Sequence, residues 1–174
     1  MDLSKMLPPK PPGGDLRDST LRKLTKDAGQ REESWERMRE AVRGEHYLCT
    51  RGELHDSIVN EFNKIYGQAA YEWAKSQNLS IVKIHVKDPA LLKKGLTTPV
   101  ITPPSGAFGV VIPFYSQHGE ISYLPNKDDF TTQTTIDWQN PLLLPNNSAI
   151  VLLNGEIKFQ MVLFDCEVVG VREE

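Results

Sequence analysis

The stretch 149–171 constrains the fold most, because two apolar runs flank the pair Asn154-Gly155. Asn-Gly accepts the positive φ angles of a type I′ turn, so the pattern predicts a β-hairpin with a two-residue loop. In that register six apolar side chains share one face, while Lys158 and Gln160 point away from it. The six are Ile150, Leu152, Ile157, Phe159, Met161 and Leu163. We therefore expect this hairpin to lie at the centre of a sheet with one buried face.

An amphipathic helix is predicted to cover that face. Thr50 and Glu53 form a capping-box pattern, and the apolar side chains after them recur at helical spacing. These side chains are Leu54, Ile58, Phe62, Ile65, Tyr66, Ala69 and Trp73. We expect the first part of this stripe, up to Ile65, to pack on the apolar face of the hairpin.

Short β-strands are predicted for most of the chain between the helix and the hairpin. The predicted strands are 79–87, 107–115, 121–124 and 130–138. A short helical turn is expected at 88–96 and an exposed loop at 97–106, while Pro113 favours an edge or a bulge in its strand. The chain is therefore expected to be an α+β protein. In it, N-terminal helices pack on a twisted, mostly antiparallel sheet of about six strands that ends in a β-hairpin.

The chain before this body divides into two parts. Residues 1–14 are predicted to be a flexible proline-rich arm, whose prolines either dock on a partner or act as a spacer. These prolines are Pro8, Pro9, Pro11 and Pro12. Residues 15–44 predict a charged helical segment, and residues 45–174 a single globular α+β domain.

Two helices are expected within 15–44, the second along Trp35, Met38 and Val42, with Gly44 as its cap. Their apolar stripes are narrow and their charge is high. We therefore expect residues 1–44 to contact a partner rather than to complete the core, and a solvated helix lying on its own domain is the alternative.

The net charge of −3 conceals a gradient along the chain. Residues 1–26 hold six Lys or Arg side chains and three acidic ones, so the remainder is acidic. The six cations are Lys5, Lys10, Arg17, Arg22, Lys23 and Lys26. They are predicted to contact an anionic surface, the alternative being a solubilising tail. The balance is unlike that of a dedicated nucleic-acid-binding protein, and no sequence-specific nucleic acid is expected.

Composition also limits the cellular context. No apolar run reaches the roughly 20 residues of a membrane span, and residues 1–14 lack the apolar core of a signal peptide. Two cysteines cannot form a disulfide framework. We expect reduced thiols and a protein that is not secreted.

Two groups of residues were weighed as chemical sites. Four have the side chains that zinc prefers, but no CxxC or HxxxH spacing joins them. They are His46, Cys49, His55 and Cys166. Asp137, Glu156 and Lys158 are spaced like a nuclease magnesium site, yet Lys158 also fits the solvent side of a strand. No catalytic residue, metal or cofactor is therefore expected.

Several stretches resemble the matrix proteins of rhabdoviruses, in which helices after a proline-bearing arm cover a twisted antiparallel sheet. They are 66–86, 121–125, TTQTTIDW at 131–138 and NGEIKFQMVLFD at 154–165, within a likeness over about 50–170. The resemblance implies a non-enzymatic protein that self-assembles, condenses the viral nucleocapsid and contacts the anionic membrane peripherally. Its location would be the virion and the host cytoplasm. An assembly or connector subunit without a lipid role is the alternative.

Overall fold

The computed structural model describes residues 20–38, 45–114, 119–136 and 141–170. Two antiparallel sheets contain the strands, and the α-helices lie on the outer face of the larger sheet. The expected α+β class is thus confirmed. The expected count of about six strands is wrong, since eleven strands occur in the described residues. No helix in these residues is long and apolar enough to cross a membrane.

Sheet A has seven strands and sheet B has four. Sheet A contains β1 (Glu36–Arg37), β2 (Glu45–Leu48), β3 (Leu79–Val86), β4 (Ala90–Lys93), β6 (Ala107–Pro113), β9 (Leu142–Leu144) and β11 (Glu156–Val168). Sheet B contains β5 (Val100–Ile101), β7 (Glu120–Leu124), β8 (Thr134–Ile136) and β10 (Ala149–Asn154). The helices are α1 (Thr20–Gln30), α2 (Glu53–Phe62), a π-helical segment (Asn63–Gly67), α3 (Gln68–Ser76) and a 3₁₀ turn (Phe130–Thr132).

The predicted C-terminal hairpin is wrong, although both of its strands exist. β10 belongs to sheet B and β11 to sheet A, so the pair Asn154-Gly155 carries the chain from one sheet to the other. Gly155 has a φ of +75°, whereas Asn154 is not among the described residues with positive φ. A type I′ turn needs positive φ at both positions. This conformation therefore makes a corner between sheets.

The six apolar side chains predicted to share one face of a hairpin lie on two facing sheets, Ile150 and Leu152 on β10 of sheet B and the other four on β11 of sheet A. All six belong to one cluster with residues of both sheets, which we call the inner cluster. Leu54, Ile58 and Phe62 belong to a second cluster on the other face of sheet A, the outer cluster, and Ile65 packs against it. The predicted contact between helix and hairpin face is thus wrong.

Strand β11 is buried on both faces. Gln160, expected to point into solvent, has 0% exposure, and its Nε2 donates a hydrogen bond to the carbonyl oxygen of Lys87. The ammonium of Lys158 donates to the carbonyl oxygen of Gly29 at the end of α1. The helices cover the face that the sequence pattern assigned to water. Its polar side chains are therefore used within the fold.

The predicted amphipathic helix is present, with a different start. Its cap is Gly52 rather than Thr50, and the backbone N–H of Gly52 donates to Nδ1 of His55 at 2.9 Å. Buried side chains then recur every four residues, at Ile58, Phe62, Tyr66, Ala70 and Ala74. Each four-residue step overshoots a full α-helical turn by roughly 40°. The wider π-helical segment between α2 and α3 offsets that drift and keeps the stripe on sheet A.

Several other local predictions are wrong, among them the exposed loop at 97–106, which holds strand β5 with a buried Ile101. The segment predicted as a helical turn holds strand β4, which pairs with β2 and β11. Strand β6 is an interior strand, and Pro113 is tolerated because it ends β6 beyond the residues that pair with β9. Strand β1 occupies Glu36–Arg37, where the second N-terminal helix was expected. Val42 and Gly44 lie outside the described residues.

Helix α1 completes part of the core. Leu21 and Ala28 are each 2% exposed and belong to the outer cluster. For residues 20–30 this contradicts the expectation that the charged segment leaves the core unfilled. The division at residues 14 and 44 stays a prediction.

Candidate ligand-binding site

An open cavity of about 400 Å³ lies between the two sheets. We call it the inter-sheet pocket. Most of its described lining is apolar: Met38, Leu48, Ala90, Leu92, Val100, Ile101, Pro104, Phe159, Met161 and Leu163. The remaining lining residues are His46, Lys87, Asp88 and Thr102. Protein interiors are normally packed without voids much larger than a water molecule, so a cavity of this size is a specific feature of the fold.

The difference in width between the sheets explains why the pocket exists. Sheet A has three strands more than sheet B, whose end strand β5 has only two residues. β5 therefore cannot cover all of β2, β4 and β11, which line the pocket from the side of sheet A. The apolar residues there would make a closed core under a wider sheet. Here they border an opening.

Lys87 and Asp88 lie at the rim, where the chain passes from β3 to β4. Both are exposed. The backbone N–H of Lys87 donates to the carbonyl oxygen of Met161 at 2.9 Å, which continues the β3–β11 pairing by one residue. Across the opening, the Thr102 hydroxyl donates to the carbonyl oxygen of Ser148 at 2.8 Å. The rim thus offers an ammonium, a carboxylate and a hydroxyl around an apolar interior.

His46 is a half-buried polar residue beside this interior. It lies on β2 opposite Leu92, and its Nε2 has no hydrogen-bond partner within the described residues. Burial lowers the pKa of His46. An unpaired imidazole nitrogen against apolar side chains costs free energy, and a hydrogen-bonding ligand would reduce that cost.

A second polar pair lies on the inner face of sheet A. His85 on β3 and Asp165 on β11 are joined by a 2.6 Å contact between Nε2 and Oδ2. His85 is the direct register partner of Leu163, which lines the pocket. Direct partners in an antiparallel pair project to the same face, with Cβ atoms about 4.5–5.5 Å apart. The His85–Asp165 pair therefore lies next to Leu163, although neither residue is itself among the described residues that line the pocket.

Most of the residues predicted as binding sites lie outside the part of the chain that the structure describes. Pro8, Pro9, Pro11 and Pro12 lie outside the described residues, as do Lys5, Lys10 and Arg17. Arg22, Lys23 and Lys26 lie on α1, on the side of sheet A opposite the pocket. Lys23 and Lys26 are exposed. Contact of these cations with an anionic surface stays a prediction.

The four residues weighed as zinc ligands have other surroundings. His55 accepts the Gly52 N–H and stacks on Phe114 at 5.9 Å, and burial lowers its pKa despite the nearby Glu33 carboxylate. Burial, with smaller contributions from Glu33 and Asp88, raises the pKa of the Cys49 thiol to about 11. The Cys166 thiol donates to the carbonyl oxygen of Phe164.

The nuclease pattern is not assembled in the described residues. Asp137 lies outside them. Lys158 points to the outer face of sheet A, where Gly29 accepts its hydrogen bond.

Sequence reasoning missed the residues around the pocket. The alternation of apolar and polar residues at 79–87 predicted a strand, and it gave no role to His85 or Lys87. Asp165, which ends the apolar run 161–164, was assigned no role. The available signal was that run, because four successive apolar residues indicate a strand buried on both faces.

Comparisons with known proteins find similarity at the level of structure alone. No protein-family model matches the chain, and no curated protein sequence matches it. A predicted oxalate decarboxylase from Thermotoga maritima matches with a TM-score of 0.39 and 11% identity, over 76% of this chain and 93% of that chain. A 2OG-Fe(II) oxygenase family oxidoreductase from Burkholderia pseudomallei gives 0.47 and 11%, over 79% and 75%. A prolyl-4-hydroxylase from Pseudomonas putida gives 0.48 and 12%, over 83% and 85%.

These findings correct the resemblance to rhabdovirus matrix proteins. The three structures are named as a decarboxylase, an oxygenase and a hydroxylase, and none is viral. The two sheets also differ from the single helix-covered sheet that the resemblance implied. These findings contradict the predictions of a viral matrix protein and of a non-enzymatic role. At TM-scores of 0.39 to 0.48, no activity is transferred to this chain.

Self-association, nucleocapsid binding, membrane contact and a location in virion and host cytoplasm are not tested by these comparisons. They stay predictions.

One of the similar structures is named for Fe(II), and non-haem iron(II) oxygenases hold their metal with two His and one carboxylate. In the part of this chain that the structure describes, no group of three or more His, Cys, Asp or Glu side chains could hold a metal ion. His85 and Asp165 form a pair without a third ligand there. The described residues do not fit that ligand set, and we derive no step through a metal.

Proposed function

We propose that this protein binds a small, largely apolar molecule in the inter-sheet pocket, with a polar group of that molecule at the rim. The observation that carries the proposal is the cavity of about 400 Å³ between the sheets, lined mainly by apolar side chains. This volume lies within the range of about 300–1,000 Å³ that small-molecule sites occupy. Burying apolar ligand surface there contributes about 25 cal/mol per Å².

The rim supports a ligand that carries an anionic or hydrogen-bonding group. The Lys87 ammonium is a donor that pairs with carboxylate, sulfonate or carbonyl oxygens. Its backbone is held by bonds to Met161 and Gln160, so the side chain starts from a fixed point beside the opening. The apolar interior would then hold the body of the ligand and Lys87 its polar end.

Binding of 1-anilinonaphthalene-8-sulfonate tests the proposal, because this probe joins apolar rings to an anion. We expect saturable binding that Ala90→Phe weakens at least tenfold, since Ala90 is 4% exposed and lines the pocket. Ala69→Phe, on α3 away from the pocket, is the matched control and should bind like the wild type.

A second variant tests whether weaker binding by Ala90→Phe results from a filled pocket or from overpacking of the core. Thr102→Trp changes an exposed rim residue and should obstruct the opening without entering the core. Equal affinity for the wild type, Ala90→Phe and Thr102→Trp, with unchanged melting temperatures, would place the probe elsewhere and refute the proposal.

A further inference from the structure

We propose that His85, oriented by Asp165, is a general base that removes a proton from a carbon next to the carbonyl group of a molecule bound in the inter-sheet pocket. This inference rests on the proposed function and gives it a reaction and a substrate class. His85 and Asp165 are separated by 80 positions in the chain, and the pairing of β3 with β11 brings them together.

Three neighbour relations place the pair next to residues that line the pocket, although neither His85 nor Asp165 lines it. His85 pairs in register with Leu163, which lines the pocket. Lys87, two residues further along the same face as His85, lines it as well. Asp165 pairs with Ala107, whose backbone N–H bonds to the carbonyl oxygen of Pro104, another lining residue. The pair thus adjoins the lining from both of its strands.

The pair is partly open to solvent. On the neighbouring strand β6, Ala107 lies beside Asp165 and carries only a methyl group, whereas the side chains of Leu163 and Met161 lie over Gly109. The side chains of His85 and Asp165 remain 36% and 41% exposed. A substrate could therefore reach the imidazole from the pocket, which is not the case for the 2%-exposed His55.

The hydrogen bond determines which imidazole nitrogen acts as the base. An ionised carboxylate only accepts, so Asp165 keeps the proton of neutral His85 on Nε2 and leaves the lone pair on Nδ1. When Nδ1 takes up a proton, the same carboxylate stabilises the resulting imidazolium. This is the role that the aspartate has in Ser-His-Asp sites.

The proton transfer balances without any further reactant. The substrate C–H bond breaks, an N–H bond forms at Nδ1, and the electron pair moves onto the carbonyl oxygen as an enolate. The Lys87 ammonium at the rim stabilises that negative charge. The Nδ1–H proton of the imidazolium exchanges with solvent. Delivery of the exchanged hydrogen to the same carbon then places solvent hydrogen in the substrate, and delivery to another carbon isomerises it.

The strands beside His85 place several charged groups on the face of the sheet that it occupies. Lys83 and Lys87 lie on its own face of β3, Asp165 comes from β11, and Asp88 follows Lys87 at the rim. Strand β6 contributes Ala107 and Gly109, which carry no charge. Asp165 is the one of these groups within hydrogen-bond distance in the described structure.

Deuterium exchange of a ketone probe tests the proposal on the full chain. Phenylacetone, with an apolar ring and acidic C–H bonds next to its carbonyl, is incubated in D₂O, and loss of its α-proton signals is followed by NMR. We expect His85→Gln to slow the protein-dependent exchange by about 100-fold or more. Asp165→Asn should slow exchange at saturating probe while leaving the dissociation constant unchanged, a split that a merely structural role would not give. Asp128→Asn, at an exposed loop carboxylate, is the matched control.

Binding of the same probe, measured by saturation-transfer NMR, separates the two proposals. If phenylacetone binds, Ala90→Phe abolishes binding and the exchange rate is equal in wild type and His85→Gln, the general-base role is refuted and the binding function stands. If wild type binds neither phenylacetone nor the anilinonaphthalene probe, both proposals fail. Exchange that is lost in His85→Gln, with melting temperature and probe affinity retained, supports the base.

Discussion

The two faces of sheet A are closed in different ways. On the outer face, α1, α2 and α3 cover the strands, and aromatic side chains pack directly: Phe108 stacks on Phe164 at 4.7 Å and meets Trp73 edge-on at 4.9 Å. On the inner face, sheet B covers the strands only in part and leaves a cavity of about 400 Å³. The outer face is closed by direct packing, while the inner face supports the fold and leaves the cavity in which we propose that a ligand binds.

This difference follows from the shapes of the two covers. A helix whose buried side chains stay on one side can follow a sheet closely, and the π-helical segment maintains that stripe over 53–76. A four-stranded sheet cannot extend across a seven-stranded one. The comparison predicts a larger loss of stability from truncations in the outer cluster than from those beside the pocket.

Truncating a fully buried outer residue should have the largest effect. Phe62 is 0% exposed and stacks on Tyr66 at 5.5 Å, so we expect Phe62→Ala to lower the free energy of unfolding by about 3 to 5 kcal/mol. Denaturant titration measures this. Phe130→Ala, at a side chain 44% exposed, is the control and should change little. A small effect for Phe62→Ala would contradict the assignment of the outer face as the main core.

A truncation beside the pocket should cost less. Leu163 is 6% exposed and borders the cavity, so its removal loses fewer packing contacts, and we expect Leu163→Ala to cost about 2 kcal/mol. Leu96→Ala, at a fully exposed leucine, is the control. The comparison between the faces fails if Leu163→Ala destabilises the protein as much as Phe62→Ala.

Acid should destabilise the protein through the histidine of the outer face. Burial lowers the folded-state pKa of His55 below its ordinary value of 6.5, so the unfolded chain takes up the proton first as the pH falls. Stability contributed by neutral His55 is complete above pH 6.5 and is lost as the pH falls toward the folded-state pKa. The slope is at most about 1.4 kcal/mol per pH unit.

Unfolding free energies between pH 7.5 and 5 measure this slope. His55→Asn keeps a side-chain acceptor near the Gly52 N–H. It should lower the number of protons taken up on unfolding, which sets this slope, by up to one. Some dependence should remain, because burial also lowers the pKa of His46. An identical slope in wild type and His55→Asn would show that His55 is not shielded by the outer packing.

The corner between the sheets should give the smallest effect. Gly155 has a φ of +75°, so Gly155→Ala forces an L-residue into the left-handed region and should cost about 1 kcal/mol. Gly170→Ala, with nothing within 4 Å of the added Cβ, is the control. If both variants have the same melting temperature, the positive φ angle of Gly155 does not contribute to the stability of the corner between the sheets.

The sequence by itself determined the local elements. The strands at 149–154 and 156–168, the long helix of 53–76 and the α+β class follow from apolar periodicity and turn residues. The four side chains of β11 from Ile157 to Leu163 were correctly grouped on one face, whereas Ile150 and Leu152 lie on the facing sheet B. Periodicity succeeds here because it reports which side of an element leaves water.

Tertiary structure decided what covers each face and which strands pair. The alternation in β11 predicts a buried face but does not tell whether a helix or a second sheet covers it, nor that helices cover Gln160 on the other side. The Asn154-Gly155 pair fits a hairpin locally, yet the apolar area buried between two sheets favours the corner. The contact of His85 with Asp165 and the inter-sheet pocket depend on strand order and on unequal sheet widths. Those are properties of contacts far apart in the chain, which a local pattern does not contain.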